Sequence, residues 1–179
     1  MSAVDLTRAQ TPPEGFALIV VGVVGSRSSP SYLFSVERST QSQEGMQDYF
    51  HVEVHGAQPN ADGRLTKTMA LLVPAGEWRV YGHRLQLDYC IGAPFFAANS
   101  GEVVFLGEFD FDSGALNPNV SDQALRRHLP TSLAISTAAR AASWQNGATW
   151  PCRMELMYAL EFDGFPYASD YAWGGAADN

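Results

Sequence analysis

The stretch SGEVVFLGEFDFD, residues 100 to 112, decides the fold, because apolar and acidic side chains nearly alternate along it. On a β-strand, successive side chains point to opposite faces of the sheet. One face then carries apolar side chains and the other carries carboxylates: Val103, Phe105, Phe109 and Phe111 against Glu108, Asp110 and Asp112. Because such a sheet buries one face and leaves the other in water, we expect these carboxylates at the surface. They lack the spacing and the closing glutamate of an EF-hand calcium loop.

Segments with the same strand character recur on both sides of this stretch. They are short, rich in β-branched residues or alternating in polarity, and bounded by turn residues, which is typical of strands. The predicted strands include residues 15–26, 31–38, 48–56 and 153–162, and two more on either side of a turn at Pro74, Ala75 and Gly76. Proline presets φ at such a turn and glycine permits it.

The number and spacing of these segments predict a mainly β fold, an antiparallel β-sandwich of seven or eight strands. A short helical insertion is expected near residues 121–144, where Ser121 and Asp122 are candidate N-caps. The expected domain organisation is a flexible lead-in over residues 1–14, a single sandwich domain over 15–163 and an aromatic, glycine-rich tail over 164–179.

The composition is that of one globular domain, with 179 residues, 46% hydrophobic and 17% charged. Nineteen acids against eleven bases give a net charge of −8. This argues against a nucleic-acid partner, because such binding needs basic surface. No run of about 18 apolar residues is present, so we expect no transmembrane segment. The first fifteen residues contain no apolar signal-peptide core, which leaves a cytoplasmic location open.

Metal-ligating residue types alternate in the segment DYFHVEVHG, residues 48–56. On a strand, His51, Glu53 and His55 point to one side, and two imidazoles with a carboxylate are a zinc-type ligand set. Same-face neighbours on a strand lie about 6.5–7 Å apart, however, so one ion rarely reaches all three. A metal site would need a ligand from another strand, for which His83 is the candidate. The favoured alternative is a solvated polar strand face.

The sequence predicts no catalytic residues. It contains no G-x-S-x-G elbow, no glycine-rich phosphate loop and no dinucleotide fingerprint. His128 closes the predicted helix beside Arg126 and Arg127, where attraction between a cation and the helix dipole accounts for it.

Two cysteines, Cys90 and Cys152, lie far apart in the sequence. A disulfide between them would close a long loop and stabilise the fold by about 4 kcal/mol. The alternative is two separate buried thiols in a reducing compartment.

Aromatic residues are concentrated in the tail, at Phe165, Tyr167, Tyr171 and Trp173. Such side chains have little reason to remain in water, so they either fold back on the domain or dock on a partner. We therefore predict that the tail is a partner-binding segment.

The segment VPAGEWRVYG, residues 73–82, and the stretch that opens this subsection together resemble motifs of bacterial envelope proteins of unknown function. The turn at Pro74, Ala75 and Gly76 matches their Pro-Ala-Gly turn, and residues 101–107 match their Gly-x-Val-Val strand. The resemblance implies a transthyretin-like or carboxypeptidase-regulatory-like β-sandwich with no catalytic residues to transfer. It also implies a location in the periplasm or cell envelope.

The sequence supports three functional hypotheses. The favoured one is a non-enzymatic binding or structural module with an unknown protein or envelope partner. The second is a metal-binding protein or metal-dependent hydrolase that uses His51, Glu53 and His55, with zinc as its cofactor. The third is a homo-oligomer subunit that assembles through its aromatic tail or a sheet edge.

Overall fold

The computed structural model describes residues 2–6, 11–26, 34–39, 48–83, 89–113, 116–129, 139–148 and 158–169. Within these residues the chain forms two large sheets, one two-stranded sheet and one short helix. The mainly β fold class predicted from the sequence is therefore confirmed. No helix within these residues is long and apolar enough to cross a membrane.

The strands are short and are numbered along the chain. They are β1 (Ser2–Ala3), β2 (Phe16–Gly25), β3 (Phe34–Arg38), β4 (Tyr49–Val52), β5 (Gln58–Pro59), β6 (Leu65–Pro74), β7 (Gly76–His83), β8 (Tyr89–Ile91), β9 (Ala93–Ala98), β10 (Val103–Asp110), β11 (Ala139–Ala141), β12 (Gln145–Ala148) and β13 (Tyr158–Ala159). The six-stranded sheet has the order β1-β6-β2-β10-β11, with β5 also paired to β6. The five-stranded sheet has the order β12-β9-β7-β3-β4, and β13 pairs with β8.

The prediction of purely antiparallel sheets with seven or eight strands is wrong, because the two large sheets contain eleven described strands and one sheet is mixed. β10 runs parallel to both of its neighbours, β2 and β11. The chain passes repeatedly between the sheets, and even β6 and β7, on either side of the predicted turn, belong to different sheets. Two neighbouring strands that are joined by a tight hairpin must run in opposite directions. Neighbouring strands that are joined by a long connection, as β2 and β10 are, can run in parallel.

A β-bulge in β10 changes which side chains of the opening stretch face the core. Its register with β2 shifts between Phe105 and Gly107, and a bulge adds one residue that reverses the alternation. The side chains of Val104, Leu106, Phe109 and Phe111 consequently lie in the main hydrophobic core, whereas Val103 and Phe105 lie in a second one. The expectation that Val103 and Phe105 share a face with Phe109 and Phe111 is therefore wrong.

The main core lies between the two large sheets and is rich in aromatic side chains. Phe34 of the five-stranded sheet packs against Phe109 of the six-stranded sheet with ring centroids 4.6 Å apart. The indole of Trp144 is buried and its Nε1 donates a hydrogen bond of 2.7 Å to the Leu106 carbonyl oxygen. Satisfying that N–H allows a large aromatic group to be buried without loss of a hydrogen bond.

The second core lies on the outer face of the six-stranded sheet, under the helix α1 (Asp122–His128). Ser121 is the N-cap, as predicted, and its Oγ accepts a hydrogen bond of 3.3 Å from the Ala124 backbone N–H. The prediction of a helical region as far as residue 144 is wrong, because β11 already begins at Ala139. Residues 130–138 lie outside the described part of the chain.

The bulge in β10 can be tested by adding a methyl group to its glycine. Gly107 has φ of +119°, and a Cβ there would lie 2.6 Å from the Pro118 Cβ. Gly101 has φ of +79° but open space around it, so it shares the backbone strain without the clash. We expect Gly107→Ala to lower the free energy of unfolding by about 1–3 kcal/mol more than Gly101→Ala, as measured by urea denaturation. Equal losses in the two variants would contradict this account of the bulge.

Candidate functional site

Three neighbouring strands of the six-stranded sheet place Thr68, Gly22 and Glu108 side by side. Gly22 of β2 is the register partner of Thr68 on β6 and of Glu108 on β10. Gly22 has no side chain, and the imidazole of His128, at the end of α1, lies over it. A Cβ on Gly22 would lie only 2.3 Å from the His128 Nε2 atom. The glycine therefore makes room for the ring between a hydroxyl and a carboxylate.

His128 joins these two groups by hydrogen bonds, and we call Thr68, His128 and Glu108 the Thr–His–Glu cluster. The Nδ1 atom of His128 lies 2.7 Å from the Thr68 Oγ1, and its Nε2 atom lies 2.9 Å from the Glu108 Oε2. Arg127 donates a hydrogen bond of 2.7 Å to the second carboxylate oxygen, Oε1. Phe105 stacks on the imidazole with a centroid distance of 5.9 Å and fixes the plane of the ring.

The cluster is buried at its carboxylate end and open at its hydroxyl end. Only 4% of His128 and 9% of Glu108 are exposed, whereas Thr68 is exposed to solvent. Burial by itself raises the pKa of Glu108, but the hydrogen bonds from His128 and Arg127 and the positive charge of Arg127 lower it by more, so the pKa of Glu108 lies below its ordinary value. The ionised carboxylate accepts the Nε2–H of the imidazole. In a neutral ring this leaves the Nδ1 lone pair facing the Thr68 hydroxyl.

Sequence reasoning missed this cluster. Glu108 was expected in water with the other carboxylates of its strand, but the bulge turns it under α1, where it is buried. His128 was assigned only to the helix dipole, although its side chain contacts the sheet. The signal that could have pointed to the cluster is Gly22, because a glycine inside an apolar β-branched run often marks a close approach.

Asp110 and Asp112, the other two carboxylates expected on the same strand face as Glu108, lie at the surface, as expected. Asp110 accepts a hydrogen bond of 2.8 Å from Arg64 Nη2. Asp112 accepts one of 2.5 Å from the Ser26 backbone N–H. Each carboxylate therefore holds a neighbouring segment of the chain at the end of β10 through a hydrogen bond.

The predicted metal-ligating residues have separate partners. β4 ends at Val52, so Glu53 and His55 lie beyond the strand on which all three were expected. The His51 Nδ1 lies 2.7 Å from the Ser35 Oγ, and the Glu53 carboxylate lies 4.0 Å from the Lys67 Nζ, which also donates to the His55 carbonyl oxygen. Within the described part of the chain, no group of three His, Cys, Asp or Glu residues is placed to hold a metal ion.

Several other predicted site residues lie outside what the structure describes. They are the side chains of His83 and Cys90, and the residues Cys152, Tyr171 and Trp173. The disulfide between Cys90 and Cys152 therefore stays a prediction. Phe165 and Tyr167 are described: Phe165 packs against the main core, and Tyr167 is 38% exposed.

Comparison with known proteins assigns no relative to this chain: no protein-family model, no curated protein and no solved structure matches it. The resemblance to bacterial envelope proteins is thus borne out only in the mainly β, two-sheet architecture.

The close fit between Gly22 and His128 predicts a specific pattern of coupling. Gly22→Ala is expected to displace the imidazole and to lower the free energy of unfolding by at least about 2 kcal/mol, because it overpacks the site and leaves the Glu108 Oε2 atom without its imidazole partner. In Gly22→Ala/His128→Ala the clash is gone, so the double variant should be no less stable than His128→Ala alone. Urea denaturation of the four proteins measures this cycle. If the stability losses of the two single variants add up in the double variant, the close contact between Gly22 and His128 would be contradicted.

The acid dependence of stability tests the environment of Glu108. Because its pKa is lower in the folded chain, its contribution to stability is present above pH 4.5 and is lost as the pH falls through the folded pKa. Glu108→Gln should therefore flatten the decrease in unfolding free energy below pH 4.5, as measured by denaturation across a pH series. Glu102 contributes to the remaining slope at lower pH, because the hydrogen bond from Arg140 lowers its pKa to about 2.

The control for this measurement is Glu77→Gln, at an exposed position on β7. This variant removes the same charge, and its unfolding free energy should fall with decreasing pH as steeply as that of the wild type. An unchanged slope in Glu108→Gln would show that Glu108 titrates alike in the folded and unfolded chains.

Proposed function

We propose that the chain is a protein-binding module whose partner docks on the aromatic segment at one edge of the five-stranded sheet. The observation that carries the proposal is an exposed tyrosine, Tyr167, on a segment that the domain holds in one position. We call residues 160–169 the docked segment. We also propose that the two sheets form the β-sandwich of envelope type that the sequence resemblance implies, so the cell envelope is where the partner should be sought first.

Asn146 supports the docked segment, because its buried side chain bonds three backbone groups. Its Nδ2 donates to the carbonyl oxygens of Phe162 and Phe165 at 3.0 and 3.1 Å, and its Oδ1 accepts from the Phe162 N–H at 2.8 Å. Its backbone N–H donates to the Pro166 carbonyl oxygen at 2.8 Å, and its carbonyl oxygen accepts from the Ala168 N–H at 2.9 Å. The segment therefore adds to the sheet beside β12.

Aromatic packing supports the same placement. Phe162 is 1% exposed and its ring lies 5.0 Å from that of Trp144 and 6.2 Å from that of Phe109. Phe165 lies over Phe162 with ring centroids 6.3 Å apart. Full burial of Phe162 stabilises the docked segment by about 1.5–3 kcal/mol, and the half-buried Phe165 adds a smaller amount.

Tyr167 differs from these two rings because 38% of it is exposed. Tyrosine has few rotatable bonds and combines an apolar ring with a hydroxyl, which is why it is enriched in interface cores. A backbone that is already ordered loses little entropy when a partner binds. Tyr171 and Trp173 follow within six residues, so the sequence extends the aromatic character beyond this position.

The test is site-specific photocrosslinking in the cells that make the protein. A photoreactive phenylalanine analogue at position 167 is expected to give a discrete adduct with one protein. The same analogue at position 49 is the control, because Tyr49 is 51% exposed but lies on β4, at the opposite edge of the sheet. The crosslinked protein is then purified and its Kd for the chain is measured directly.

Tyr167→Ala should weaken that binding by at least about tenfold, because interface hot spots contribute about 2 kcal/mol or more. Tyr49→Ala should leave the Kd unchanged. Equal crosslinking from the two positions, or an unchanged Kd in Tyr167→Ala, would overturn the proposal.

A further inference from the structure

We propose that the Thr–His–Glu cluster is an acyl-transfer site, in which the Thr68 hydroxyl is the nucleophile towards small carboxylic esters. This inference goes beyond the proposed binding function and does not depend on it. The cluster belongs to the six-stranded sheet, whereas the docked segment belongs to the edge of the five-stranded sheet.

The three side chains have the connectivity that activates a hydroxyl. A nucleophile must lie within hydrogen-bond reach of a base, and a third group must orient that base. The distances of 2.7 Å from hydroxyl to imidazole and 2.9 Å from imidazole to carboxylate meet both conditions. The three residues come from β6, α1 and β10, so the fold brings them together from distant parts of the sequence.

The direction of proton transfer follows from the carboxylate. Glu108 holds the Nε2–H of the neutral imidazole, so Nδ1 is the atom that can accept the proton of Thr68. When the ring becomes positively charged, the adjacent carboxylate stabilises it in a site of low dielectric. Thr68 and His128 are therefore the catalytic residues, and Glu108 is a positioning residue.

The burial of the cluster suits this role. Phe105, Gly22 and the two hydrogen bonds hold the ring in one orientation, which limits the reorganisation needed during reaction. Thr68 is exposed, so an ester can approach its Oγ1 from solvent without any movement of α1.

The reaction has two balanced steps. In the first, Thr68 Oγ1 bonds to the carbonyl carbon, its proton passes to His128 Nδ1, and the bond from carbon to the alkoxy oxygen breaks as that oxygen takes the proton. The products are an acyl-threonine and an alcohol. In the second, water attacks the acyl carbon and gives a proton to His128, the bond to Oγ1 breaks, and Thr68 recovers the proton as the carboxylic acid leaves.

The first test uses p-nitrophenyl acetate with the full chain. We expect release of p-nitrophenol above the buffer rate, together with an acetyl group on Thr68 that is detected by peptide mass spectrometry. Thr68→Val, which keeps the shape but lacks the hydroxyl, should lose both signals. Thr68→Ser, which keeps the hydroxyl, should retain both. His128→Gln should lower the rate on the order of 10²- to 10⁴-fold.

The matched control is Ser35→Ala, because Ser35 also forms a 2.7 Å hydroxyl–imidazole contact, with His51, but is buried. It should keep the full rate. Glu108→Gln should lower kcat and leave KM unchanged at equal folded fraction, because Glu108 acts only through the imidazole. The proposal is overturned if Thr68→Val hydrolyses the ester as fast as the wild type, if the wild type does not exceed buffer, or if the acetyl group lies on another residue.

Discussion

Parallel pairing of β2 with β10 is the constraint on which the rest of the structure depends. β2 is buried along nine of its ten residues, so both of its faces must be covered. One face lines the core between the two sheets and the other lies under α1. β10 lies beside β2 over almost its whole length and contributes side chains to the same two cores. Hydrophobic burial on both faces therefore fixes which strands lie at the centre of the six-stranded sheet.

The bulge in β10 reconciles that pairing with the acidic residues of the strand. With strict alternation, Glu108 would share a face with Val104 and Leu106, which lie in the main core. An unpaired carboxylate in such a core would cost several kcal/mol. The extra residue before Gly107 turns Glu108 to the outer face, where His128 and Arg127 satisfy its two oxygens. The bulge interrupts the hydrogen bonding between β10 and β2 locally. In return, it avoids the larger electrostatic cost of burying an unpaired carboxylate in the main core.

The same arrangement fastens α1 to the sheet. A helix of seven residues has little stability of its own, so it depends on tertiary contacts. Ala124 of the helix and Leu129, the C-cap that follows it, pack on the outer face, and His128 adds two directional bonds at the helix end. Asn146 has a comparable role in the five-stranded sheet, where one buried amide fixes the backbone of the docked segment. In both places one buried polar side chain fixes the position of a segment through directional hydrogen bonds, which hydrophobic packing alone does not supply.

The sequence by itself determined the class of the fold and many of its elements. The β-branched run of β2, the turn before β7 and the N-cap of α1 follow from local propensity and turn chemistry, which act over a few residues. Only the tertiary structure decided the parallel order of the strands, the bulge in β10, the end of β4 before Glu53 and the burial of Glu108. These features depend on which distant segments become neighbours. The contact of Thr68 with His128 spans 60 residues, and no local pattern encodes a contact of that range.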